Sequence, residues 1–160
     1  MKPLRNSLAL ALGVVLLSAC SESGGTDGAG GSPSGTSDGV SVVGDDPRIL
    51  VHELPVAPGM ILKGKLDYAE QGQCLIVHGK RAEEEYTAAA IWPKGVQPLA
   101  DGDRRGVEVP GFGRLLAGDS IVAAGSFWKS DDKRVAAAGI DSACRPMGGF
   151  IVFNADSFKR

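Results

Sequence analysis

The apolar residues of this chain come in runs of strand length, and nearly every run is closed by glycine, aspartate or proline. In residues 60–68, "MILKGKLDY", Met60, Leu62, Leu66 and Tyr68 alternate with Lys63, Lys65 and Asp67. That is the period of a strand with one buried face. Residues 72–79, "GQCLIVHG", are almost continuously apolar, as expected of a strand covered on both faces. The charged "KRAEEE" at 80–85 separates it from "YTAAAIW" at 86–92, and the two runs are expected to form a hairpin with a long loop. Trp92-Pro93-Lys94-Gly95 reads as a turn, Pro93 fixing φ and Gly95 at the closing position. "RRGVEV", "DSIVAAGSF" and "GFIVFN" supply three further short strands. One segment departs from this pattern. Asp131 and Asp132 precede "KRVAAA", and Gly139 follows, so a short helix capped by Asp131 and ended by Gly139 is expected. The fold class is therefore mainly β. The expected form is a small closed or partly open barrel, OB-like or SH3-like in size, with one short helix; the alternative is a β-sandwich. Gly64, Gly72, Gly79 and Gly125 are the expected places for its sharp bends.

Residues 21–46 contain no strand pattern. Glycine and serine dominate, Lys and Arg are missing, and Glu22, Asp27, Asp38, Asp45 and Asp46 are the charges. Such a segment buries too little apolar surface to offset its ordering entropy and is expected to be a disordered tether. Its root-mean-square reach as a flexible coil is ~28 Å. The glycines do not make a phosphate loop, which needs a Gly-Lys-Ser/Thr entering a helix. Residues 47–160 suffice for a single β domain. Acidic and basic residues nearly balance there, without a basic stripe, and no nucleic-acid partner is expected.

Upstream of the tether, Lys2 and Arg5 precede the apolar run "LALALGVVLL" at 8–17. Its length suits a secretory signal and falls short of the roughly 20 residues needed to cross a bilayer. Leu17-Ser18-Ala19-Cys20 follows directly, and this string resembles the lipobox of bacterial lipoprotein precursors. The resemblance implies that residues 1–19 are a signal peptide, and that Cys20 carries a diacylglycerol with an acylated N-terminus. It also implies that residues 20–46 tether the domain to a membrane, since two or three acyl chains give stable attachment where one does not. Ser21 in place of aspartate implies the outer membrane in a Gram-negative envelope; in a Gram-positive cell the protein would stay on the outer face of the plasma membrane.

Of the three cysteines, Cys74 and Cys144 then remain. In an exported chain they are expected to form a disulfide, closing a loop of about 70 residues worth about 4 kcal/mol in the chain-entropy model. Two separate buried thiols are the competing reading. Cys74 and His78 lie four apart, but no second pair completes a tetrahedral set, so no metal is expected. The order of Gly64 to Leu66, Gly72 to Leu75, Trp92 to Gly95, Gly118-Asp119 and Cys144 resembles small secreted bacterial domains of unassigned function. That resemblance implies a fold type and no catalytic residues.

Gly118-Asp119-Ser120 resembles the nucleophile block of one esterase family, which also needs a histidine near the C-terminus as general base. His52 and His78 both lie upstream, so a turn into a strand is expected instead. In "DGDRRG" at 101–106, Arg105 stands where a calcium loop needs an oxygen, and Phe112 where it needs a bidentate glutamate. Glu83, Glu84 and Glu85 read as a solvated loop tip rather than a glycosidase pair. No catalytic set and no cofactor is expected. Among the aromatics Trp92, Phe112, Phe127 and Trp128, the candidates for a binding surface are Trp92 and Trp128, because aromatic faces stack on sugars and peptides. The expected function is a lipid-anchored envelope protein whose β domain acts as a binding or structural module for a protein partner or wall polymer. The alternative is a small envelope hydrolase with a catalytic set assembled in space.

Overall fold

The computed structural model of the chain describes residues 39–55 and 59–160. The signal segment 1–19, Cys20 and the tether through residue 38 lie outside the described residues. The strands are β1 (Val40–Val43), β2 (Ile49–His52), β3 (Met60–Ala69), β4 (Cys74–Arg81), β5 (Glu84–Pro93), β6 (Gln97–Asp101), β7 (Arg104–Val109), β8 (Gly113–Leu116), β9 (Ser120–Trp128) and β10 (Phe150–Phe153). A single short helix, α1 (Lys133–Ala137), precedes a 3-10 turn at Ser142–Cys144.

Five strands close on one another in the order β3-β4-β5-β10-β9 and back to β3. The contacts are antiparallel except for β5 with β10, which run parallel through Ala89–Ile91 and Phe150–Val152. This is the mainly β, closed arrangement expected; in a β-sandwich β4 and β5 would not join to complete a ring of hydrogen-bonded strands. Strand β2 continues past the end of β4 and pairs in parallel with β5, Leu50 opposite Ile91, and it carries β1 at its other edge. Strands β6, β7 and β8 form a separate antiparallel meander, whose Val107, Val109 and Leu115 join the interior cluster of the ring.

Residue parity explains the two apolar layers. Along β5, Ala88, Ala90 and Trp92 belong to the interior cluster with Leu66, Val77, Ile121 and Phe153, while Ala89 and Ile91 belong to an outer cluster with Leu50, Val135 and Phe150. Successive side chains of a strand point to opposite faces, so a strand buried on both reads as one apolar run. All four residues of β10 are buried in this way. Each large aliphatic or aromatic side chain so buried contributes about 1.5–3 kcal/mol.

Several expectations need correction. Strand β1 lies inside the segment read as tether, and Val40 is buried, so the folded domain begins before Pro47. The "KRAEEE" segment is not a long loop: Lys80 pairs with Glu85 and Arg81 with Glu84, which leaves Ala82-Glu83 as a two-residue tip. Asp132, not Asp131, caps α1, its Oδ1 accepting from the Arg134 N–H at 3.0 Å. Gly139 follows the helix with φ +74°, as expected of a helix end.

Cys74 and Cys144 form the disulfide, with Cα atoms 6.0 Å apart and a sequence separation of 70. Both are buried in the outer cluster. The bond fastens the segment after α1 to the start of β4. Gly72 is required beside it, because a Cβ there would overlap the Cys144 Sγ and sit 3.0 Å from that of Cys74. Replacing Cys74 or Cys144 by Ala is expected to lower stability by about 2–5 kcal/mol, the double variant losing little more. Urea unfolding of the three variants, beside the parent with and without reductant, checks both statements.

Candidate functional site

At one end of the ring two strands stop early. β10 begins only at Phe150 because the chain turns at Pro146–Gly149, where the Gly149 N–H donates to the Pro146 carbonyl at 2.9 Å and Gly149 has φ +78°. β3 begins at Met60. β5 runs on past the start of β10, which lies opposite Ala89, and β9 runs on past Met60, which lies opposite Gly125. Between β5 and β9 lies an open groove of about 660 Å³, lined by Arg81, Glu84, Glu85, Tyr86, Phe127, Trp128, Lys129, Ser130, Asp131, Met147 and Gly148. A second depression of about 500 Å³ shares Arg81 and Phe127 with it and reaches Gly59, Met60, Gly125 and Ser126.

Phe127 and Trp128 are neighbours in β9 and therefore face opposite ways. Phe127 packs against the interior cluster and meets Tyr86 edge to face, ring centres 5.0 Å apart. The Arg81 guanidinium stands 5.5 Å from the Phe127 ring centre. Burial pushes the Tyr86 phenol above its usual range, and its hydroxyl donates to the Lys63 carbonyl at 3.3 Å. Trp128 faces outward against the outer cluster. The Arg134 guanidinium lies 3.3 Å from the centre of its ring. Asp132 holds the edge of that guanidinium, accepting from Nε at 3.0 Å and from Nη2 at 2.8 Å. A bidentate pair of this kind fixes a guanidinium plane as well as its position. Trp128 is thus braced at the groove. Met147, on the turn before β10, is wholly exposed.

Of the two tryptophans expected to form a binding surface, the structure brings only Trp128 to the groove. Trp92 is 0% exposed and stacks at 5.3 Å on Phe153 and 6.0 Å on Phe158; it is a core residue because it shares parity with Ala88 and Ala90. Asp119 sits in the turn before β9, accepting from the Leu116 N–H at 2.9 Å and from Arg104 at 2.6 Å. Asp101 and Arg104 close the β6–β7 hairpin, and Glu85 pairs with Lys80 at 3.4 Å. His52 is buried, with Nε2 2.8 Å from the Phe153 carbonyl and Nδ1 accepting from the Leu54 N–H. Among the described residues, no group of three or more His, Cys, Asp and Glu is arranged to hold a metal ion.

The other histidine has a chemically suggestive setting. His78 Nε2 is 3.2 Å from Asp67 Oδ2, and Nδ1 is 2.9 Å from the Thr87 hydroxyl. With Nε2–H donating to the carboxylate, Nδ1 accepts from the hydroxyl, which is the order of a base between an orienting acid and a nucleophile. The set spans three adjacent strands beside a depression of about 260 Å³. The side chains of His78 and Asp67 are 46% and 56% exposed, so water reaches both.

Sequence reasoning missed Arg81, Tyr86, Arg134 and Met147. They come from separate segments, and only the hairpin register and the turn before β10 bring them together. Comparison of the chain with protein-family models, with curated protein sequences and with solved structures returns no significant match. The chemistry of the groove is therefore read from its own side chains.

Three carboxylates are held below their usual range. Asp132 is lowered chiefly by its hydrogen bond from the Arg134 side chain. Asp46 is lowered first by the Tyr68 hydroxyl and then by Arg105, which donate to it at 2.5 and 2.8 Å; Asp119 is lowered first by the Leu116 N–H. A depressed folded-state value means a contribution that is present above the unfolded value of about 4 and lost as pH falls through the folded one. Melting temperature is accordingly expected to hold from pH 7 to about pH 5 and to fall steeply below about pH 4. Asp132→Asn should flatten that acid limb, as scanned by calorimetry.

Proposed function

We propose that the chain is a lipid-anchored protein of the bacterial cell envelope whose β domain is a binding module. The observation that carries the anchor is Leu17-Ser18-Ala19-Cys20 directly after a short apolar run. The buried Cys74–Cys144 disulfide supports an oxidising compartment and leaves Cys20 as the one cysteine outside that pair. The groove supports the binding role: it is concave and open, and it combines braced aromatic rings with charged side chains of both signs. Small-molecule and polymer sites share that composition, with apolar surface for affinity and a few polar groups for orientation. The partner is an envelope protein or a wall polymer.

The Asp67–His78–Thr87 set favours a second reading, a small hydrolase working at the outer face of β3, β4 and β5. Solvent access weighs against it, because catalytic dipoles act most strongly where water is excluded.

Intact-mass analysis of membrane-extracted protein is expected to show loss of residues 1–19 and added acyl mass, and Cys20→Ala to accumulate as precursor. Mature protein without acyl mass would refute the anchor. For the module, a photo-crosslinking residue at Met147 should capture an envelope component, and one at Asp103, on the β6–β7 tip, should not. Trp128→Ala should reduce capture from position 147 severalfold and Trp128→Phe less, with melting curves of both separating this from loss of the fold. Turnover of model esters that disappears in His78→Ala and Thr87→Ala would instead establish the hydrolase.

A further inference from the structure

We infer that the occupant of the groove is a polysaccharide, one of its sugar rings stacking on Trp128. The inference rests on the reading of the domain as a binding module and selects one of its two partner classes.

The first argument is the preparation of Trp128. A cation over a surface indole contributes modestly to folding, and it also fixes the plane of the ring. Here Asp132 grips Arg134 through two hydrogen bonds, and Arg134 covers one face of the indole. Asp132 is also the cap of α1, so the brace is anchored to the helix start. The ordering cost of the ring is met before any ligand arrives, which is what preorganisation contributes to affinity. The flat, weakly polar C–H face of a sugar ring suits such a platform, because aromatic faces are electron-rich.

Charge supplies the second argument. The groove carries Arg81 and Lys129 together with Glu84, Glu85 and Asp131. A strongly anionic or cationic polymer would be opposed by part of this rim. A hydroxyl-rich, uncharged chain can use both kinds of group, since carboxylates accept from sugar hydroxyls while Arg and Lys donate to them. Among the described residues Arg81 has no carboxylate partner, only the Phe127 ring beneath it, so its donors are available to a ligand. Nucleic acid, which also stacks on aromatics, needs a positive groove to track its backbone, and this groove has none.

Dimensions agree. A volume of about 660 Å³ lies within the range of small-ligand clefts. The adjoining depression that shares Arg81 and Phe127 gives the chain a path onward, as a polymer requires.

The test uses the full lipidated chain in detergent, with purified wall sacculi for co-sedimentation and soluble, uncharged N-acetylhexosamine oligosaccharides for titration. Indole fluorescence reads the site, since Trp92 is buried and Trp128 lines the groove. Saturable sedimentation and a fluorescence change are expected. Trp128→Ala should lose about tenfold in affinity, Trp128→Phe less, and Arg134→Met an intermediate amount. Melting curves of each variant separate loss of the platform from loss of the fold. Absence of binding to both probes, while Met147 still crosslinks to an envelope protein in a Trp128-dependent way, would overturn the polysaccharide and leave the binding module standing. Absence of any Trp128-dependent association would overturn both. Sedimentation unaffected by Trp128→Ala and Arg134→Met would place the polymer elsewhere on the protein and likewise refute the groove as its site.

Discussion

Strand β5 is hydrogen-bonded to three others, and the rest of the domain follows from that. One edge serves β4 over its first half and β2 beyond; the opposite edge holds β10. Removing β5 would open the ring and detach β2, and with it β1. Its sequence permits the role. Ala88, Ala89 and Ala90 are all buried, and side chains this small let both faces be covered where the strand is most crowded. The larger Ile91 and Trp92 come afterwards, one outward and one inward. Bulkier residues at 88–90 would overpack a site with little room to give.

Much of this was legible where runs were long enough to show a period. The alternation of residues 60–68 placed β3, and "CLIVHG", "AAAIW", "SIVAAGSF" and "FIVF" placed the other members of the ring. Strands β1, β2, β6 and β8 escaped notice because four or five residues display no period, and β10, equally short, stood out only as a wholly apolar run ended by Asn154. β1 is also set among glycine and serine, and β6 contains Pro98. Charge misled at the hairpin tip: Lys80, Arg81, Glu84 and Glu85 look like loop, yet long polar side chains are easily carried by strand ends that project into water. Trp92 was misjudged for a different reason. Its nearness to a turn suggested exposure, when its parity with Ala88 and Ala90 already assigned it to the interior.

The groove was less legible than the ring because it is defined by where strands stop. Nothing in "PMGG" announces that β10 will start late, and nothing in "PGM" announces where β3 begins. What the sequence did contain was the adjacency of Phe127 and Trp128. Two aromatics side by side in a strand must face opposite ways, so one was bound to lie outside the ring whichever register the sheet adopted. Arg134, six residues on, supplies the partner that makes the outward ring rigid.

The disulfide and the groove are parts of one mechanical chain. Val135 packs into the outer cluster along with Cys74 and Cys144, and it neighbours Arg134 on α1. A helix of five residues has almost no stability of its own, since nucleation is costly and few hydrogen bonds repay it. It therefore persists through its cap at Asp132, the burial of Val135, and the tie that the disulfide makes ten residues beyond Arg134. Through these three supports the orientation of Arg134, and so of Trp128, is tied to the Cys74–Cys144 bond. Oxidation of Cys74 and Cys144 thus bears on the geometry of the groove as well as on the stability of the fold.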